Sequence, residues 1–345
     1  MRIKLFFNVV FLSLVLAACN TTYYYSEFIQ PSQVYIPAKT YAVGVLNRGA
    51  SSEMTTPIYT DGVPYEYIEG IPKKAAERTL EELKKDIDIL KRFQLIDIPW
   101  EGKLRDPRKF MEDPLTSAEI DSLCDVYQVA GIIALEGVDL TIRTQGDVNI
   151  ITVNDALGMP VQVPEFSNRQ EVSYTTAWKF YDGYSLSAID SYQETYQRVF
   201  NRVADTPKDA SRIDAQKMQL MDVVVDAARD YYQRVSPFWR EGYRLYYRGG
   251  SVELYNISQN LEYSGDWKAA AAGWLELTRS NDEKVKRFAM FNMAVASEML
   301  GSPKLAKEWL LKSMEIKKTK NANRYLETIN RQIIVYEVVD KQLGI

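Results

Sequence analysis

Residues 264–280, SGDWKAAAAGWLELTRS, and residues 300–316, LGSPKLAKEWLLKSMEI, lie over one another at an offset of 36. Gly265 then falls over Gly301, Ala270 over Ala306 and Trp274 over Leu310. A glycine at the junction permits a tight turn between two helices, and an alanine in the second helix permits their close approach. The preceding helices carry Leu254, Ile257, Ser258 and Leu261 in the first copy, and Met290, Met293, Ala294 and Ser297 in the second. A last amphipathic stretch over 321–341 would cap the stack, because terminal repeats must turn a polar face to solvent.

This pattern resembles tetratricopeptide repeats, whose period is about 34 residues. The resemblance places a helical domain at 251–341 and implies a concave surface lined by the first helix of each pair. Such a surface suits a peptide or a partner helix. Tyr255, Gln259, Glu262, Arg287, Phe291 and Glu298 are the side chains that would project there, against the simpler reading of solvated residues on a short solenoid.

Upstream the texture is different. The apolar run YAVGVLN (41–47) predicts a strand, and 50–71, with Gly, Pro and Ser, a loop. Ala76, Leu80, Leu83, Ile87 and Leu90 recur every three or four residues and predict a helix over 73–92. FQLIDI (93–98) is a second strand; Thr116 and Glu119 fit a capping box that starts a second helix. VAGIIALEGVDLTI (129–142) is a long strand, and 145–170, with two prolines, an irregular insertion. Val172, Tyr174, Thr176, Trp178 and Phe180 alternate into a hairpin turning at Asp182-Gly183. A helix over about 214–235 and a last strand over 238–248 complete the series. The predicted class is α+β: a mixed α/β sheet domain over 41–248, with parallel neighbours joined by crossovers, then the all-α tetratricopeptide-like domain.

YAVGVLN, RFQLID and VAGIIALEGVDLT, with the helices between them, are similar to the periplasmic sheet domain of the curli-secretion lipoprotein, the TolB N-terminal domain and the penicillin-binding-protein activator lipoproteins. PSQVYIPAKTYAVGVLNR (31–48) resembles the opening of a lipoprotein family of Bacteroidetes. That resemblance implies a location, not an activity.

The N-terminus agrees with that location. Arg2 and Lys4 precede an apolar run from Leu5 to Ala18, too short for the roughly 20 apolar residues of a spanning helix. Leu16, Ala17 and Ala18 before Cys19 match a lipobox, so 1–18 is expected to be a lipoprotein signal peptide. Cys19 is then the lipidated first residue of the mature chain, and the anchor to the membrane. Residues 19–40 would be a tether and edge segment. NTTYY after Cys19 holds no acid, which points to an outer-membrane lipoprotein facing the periplasm.

Composition narrows the chemistry. The chain has no histidine, two cysteines and a formal charge of −4. Histidine general bases, Ser-His-Asp sites and the commonest zinc ligand are excluded. With Cys19 lipidated, Cys124 has no disulfide partner, and its place on an apolar helix stripe argues for core rather than nucleophile. No basic cluster dominates, so no nucleic-acid partner is expected. Neither metal nor cofactor is expected: the acid pairs Asp86/Asp88 and Asp222/Asp226 suit exposed helix faces, and LNRGASSE (46–53) lacks the lysine and second glycine of a phosphate loop. On the last strand Arg240, Arg244 and Arg248 share one face, which could take an anionic ligand or serve as arginine stems over solvent. The expectation is a non-enzymatic, lipid-anchored envelope protein, an interaction scaffold or accessory subunit of an envelope complex. Its rival is a carboxylate-based glycan-processing enzyme, which needs two close acids in a cleft.

Overall fold

Among the described residues, seven strands and three helices build the first unit of the fold. The computed structural model describes residues 20–49, 54–60, 63–100, 112–206, 209 and 219–345. Cys19 and the lipobox lie outside these residues, as do Ala50–Glu53 of the rejected phosphate loop. The fold is α+β, a strand-rich region followed by a helical one. The chain divides into two compact units: Ser32–Phe238 with Gln342–Gly344, and the residues up to Pro31 with Trp239–Lys341 and Ile345.

In the sheet unit, β2 (Ala42–Asn47) lies between β5 (Gln94–Ile98) and β6 (Gly131–Asn154), parallel to both. Helices α1 (Ile71–Asp88) and α2 (Ser117–Tyr127) lie in the crossovers. Alternation divides the residues between two cores. Val43, Val45, Ile133 and Leu135 join α1 and α3 (Gln219–Val235) in one, and Leu46, Ile132 and Ala134 join Ile120 of α2 in the other. The capping box is present: Glu119 N donates to Thr116 Oγ1 at 3.3 Å, and Thr116 N to Glu119 Oε2 at 2.7 Å. Strand β7 (Pro160–Asp182) runs antiparallel to β6 and β8 (Ser187–Ala204), with Val172, Tyr174, Thr176, Trp178 and Phe180 all buried.

Two expectations fail here for one physical reason. The segment 145–170 is not an irregular insertion, since β6 and β7 continue through it and turn at Asp155–Met159. Pro160 and Pro164 are tolerated because β8 pairs with β7 only from Phe166 onward, so no partner requires their missing N–H groups. Likewise the loop at 50–71 contains β3 (Thr55–Thr60) and β4 (Val63–Glu69). Pro64 sits on the edge strand β4, and Pro57 precedes the β3–β6 pairing that begins at Ile58.

A third expectation fails through long-range pairing. Of the tether and edge segment expected over 19–40, Thr21–Gln30 is extended, but as a paired strand and not a tether: it forms β1, hydrogen-bonded to β9 (Phe238–Tyr247) as a separate two-stranded ribbon. The last strand therefore does not join the larger sheet, and the boundary between units falls at Phe238/Trp239 rather than at 248.

The ribbon belongs to the helical unit with α4 (Val252–Ser264), α5 (Trp267–Leu277), α6 (Glu283–Met299), α7 (Pro303–Ile316) and α8 (Lys320–Leu343). Gly265 and Gly301 adopt left-handed φ of 67° and 80°, where a side chain would be strained. Ala270, Ala306, Trp274 and Leu310 are all buried in one core. Among the described residues no helix is long and apolar enough to cross a membrane.

Candidate functional site

The helical unit holds most of the residues singled out by sequence, but it sorts them differently. Arg244 does not present its charge to solvent. Its Nε and Nη2 donate to Glu298 Oε2 and Oε1 at 2.7 and 2.6 Å, and its guanidinium lies 3.7 Å from the Phe28 ring centroid. The Glu298 side chain is 1% exposed and that of Arg244 12%, so Glu298 is a buried partner and not a groove residue. Tyr325 donates to Glu298 Oε2 at 2.8 Å; burial and that carboxylate hold its phenol well above the ordinary range.

Arg248 is paired too, 3.5 Å from Glu262, with Nη2 donating to the Tyr255 hydroxyl at 3.2 Å. Glu262 also accepts from the Tyr246 hydroxyl at 2.9 Å. The common arginine face on the last strand is thus corrected: carboxylates of the same unit engage Arg244 and Arg248, while Arg240 is exposed. Phe291 is corrected as well, since it is buried between Tyr247 and Tyr325. Arg287 lies over Phe288 at 4.5 Å, Tyr255 is partly exposed, and Gln259 stays in solvent.

Beside this network lies a cavity of about 280 Å³ lined by Tyr23, Tyr243, Asn321, Arg324, Tyr325 and Thr328 among others. Tyr23 and Tyr243 meet edge to face at 5.3 Å. The recess therefore combines aromatic walls, an amide, hydroxyls and a guanidinium.

The sheet unit contains a second polar centre. Arg48 follows β2 directly, and its Nη1 donates to both Glu136 oxygens, at 3.0 and 2.8 Å. The Tyr181 hydroxyl donates to Glu136 Oε1 at 2.5 Å and accepts from Leu115 N at 3.0 Å. Trp100, just after β5, stacks over the guanidinium at 4.8 Å. Glu136 occupies the register shift between Leu135 and Gly137, a bulge that turns its carboxylate into this cluster. The side chains of Arg48 and Glu136 are 4% and 0% exposed. A carboxylate held from two sides and shut from solvent orders the carboxyl ends of β2 and β5. The signal for it was one acid inside the otherwise apolar run VAGIIALEGV.

The remaining candidates are quiet. Cys124 sits partly buried in the α2 core, and burial pushes its thiol up to about 11, away from thiolate chemistry. Asp226 is paired with Arg198 and lies 3.9 Å from Arg229. Among the described residues no group of three or more acids or cysteines is placed to hold a metal.

These features define a two-unit α+β protein whose sheet unit is closed around a buried ion pair and whose helical unit carries an aromatic, cationic recess. Residues 41–247, more than half of the chain, match the family described as Domain of unknown function (DUF8603), and the chain belongs to that family. Residues 257–331 match a second description, Domain of unknown function (DUF6340). Among curated proteins no relative matches the chain. Two solved structures are similar at 12% identity. A neuraminyllactose-binding hemagglutinin homolog from Helicobacter pylori covers 59% of this chain and 92% of its own, at a TM-score of 0.25. The hypothetical protein CT253 from Chlamydia trachomatis covers 56% and 98%, at 0.22.

Proposed function

We propose that this is a lipid-anchored protein of the cell envelope, held by Cys19 at the periplasmic face of the outer membrane, and that its helical unit recruits a protein partner as a scaffold or accessory subunit. The observation that carries the reading is the doubled helix hairpin. Gly265 and Gly301 share a left-handed turn, and Ala270 and Ala306 share a buried place in the helix that follows. Helix pairs built to one plan stack into tetratricopeptide-like surfaces that take peptides and helices. Gln259, exposed on α4, and the partly exposed Tyr255 are the sequence-predicted contact residues that stay available to a partner.

Photo-crosslinking residues at Gln259 and at Tyr255, tested in intact cells, are expected to give discrete protein adducts identifiable by mass spectrometry. A helical unit that yields no adduct from either position would overturn the proposal.

A further inference from the structure

The ribbon of β1 and β9 exposes more aromatic surface than folding explains. Tyr23, Tyr25 and Tyr243 are 53%, 76% and 59% exposed, and Trp239 is 43% exposed. Tyr243 contacts both Tyr23 and Tyr25, at 5.3 and 6.0 Å between ring centroids. Alternation separates them from Tyr24, which packs on Trp267 at 4.8 Å on the other face of β1. A clustered patch of this kind on a folded protein marks a surface that meets something apolar.

What it meets follows from where β1 starts. The strand begins at Thr21, and Asn20 O already accepts from Arg248 N at 2.9 Å and from Gly249 N at 3.3 Å. Cys19 is therefore joined to a pinned strand with no slack. Fully extended, the four residue steps from Cys19 to Tyr23 span at most about 14 Å. The headgroup layer on each side of a bilayer is about 5–7 Å deep. Tyrosine and tryptophan, each an apolar ring with a polar tip, partition into that layer. Glu27 and Glu241 are exposed on the same strands, which limits the depth to the headgroups and keeps the ribbon out of the hydrocarbon. Arg324, which makes no ion pair or hydrogen bond through its side chain among the described residues, lines the recess beside Tyr23 and Tyr243 and can face lipid phosphate.

We propose that the aromatic face formed by Tyr23, Tyr25, Tyr243 and Trp239 lies in the headgroup layer of the bilayer that holds Cys19. The proposal rests on the anchoring of Cys19 and adds an orientation to it: the helical unit is laid against the membrane and does not swing on a tether.

The test uses the full lipidated protein in a Cys124→Ser background, with Tyr25→Cys, Tyr243→Cys or Tyr263→Cys carrying an environment-sensitive fluorophore. Tyr263, on α4, is 96% exposed and serves as the water-facing control. Each protein is reconstituted into phosphatidylcholine vesicles with or without brominated acyl chains, after intact mass has established the lipid on Cys19. Emission from positions 25 and 243 is expected to shift to the blue and to be quenched several-fold more by brominated lipid than emission from 263. Lipid on Cys19 with water-like emission at 25 and 243 would overturn the orientation and leave the anchor standing. No lipid on Cys19 would overturn both.

Discussion

Arg48→Ala is expected to lower the stability of the sheet unit by about 3–5 kcal/mol, because it removes the guanidinium that pairs with a fully buried carboxylate. The Tyr181 hydroxyl, one neutral donor, does not replace a guanidinium held at 2.8 Å. Trp100 would also lose the cation under its ring. The double variant Arg48→Met/Glu136→Leu separates charge from packing. If the penalty comes from the unpaired carboxylate, removing both charges recovers most of the lost stability, as buried pairs replaced by apolar residues commonly do. Thermal melts of the single and double variants decide it. A single variant that melts with the parent would mean that the pair is not closed to solvent.

Ala270→Arg is expected to be as severe for the helical unit. Ala270 is 4% exposed, in a core that includes Leu254, Trp274 and Phe288. A guanidinium stem there overpacks a close helix contact, at about 1–3 kcal/mol, and its charge finds no carboxylate partner in that core. Ala269→Arg is the matched control: it is the adjacent residue of the same helix, and it faces solvent. Its effect should stay within about 0.5 kcal/mol. Equal melts for the two variants would show that position 270 is not a helix crossing, and the repeat reading would fall with it.

What the sequence made legible was local. The alternation of Val172 through Phe180, the capping box at Thr116 and Glu119, and the paired glycines at 265 and 301 each depend on neighbours within a turn or two. What it hid was set by distant partners. TTYYYSEFIQ lacks a clear apolar period, and its pairing strand lies more than 200 residues away. Prolines 57, 64, 160 and 164 resembled loop punctuation, yet each stands where a strand has an open side or has not begun its pairing.

The candidate site was obscured in the same way. Arg244 and Glu298 both stood out as charged surface residues, one for an anion and one for a partner. They are each other's ligand across 54 residues of chain. Phe291 was misplaced because α6 is buried around much of its circumference, so helical period alone could not say which side faced out. Tyr255 and Gln259 are exposed because α4 is amphipathic, with Leu254, Ser258 and Leu261 marking its buried side.

The most direct test of the account is the intact mass of the protein extracted from cell membranes. The account predicts a chain that begins at Cys19 and carries the mass of a diacylglyceryl group and an added acyl chain, while Cys19→Ala protein is released into the soluble fraction. A chain that retains residues 1–18, or begins elsewhere with no added lipid and still fractionates with the membrane, would contradict it.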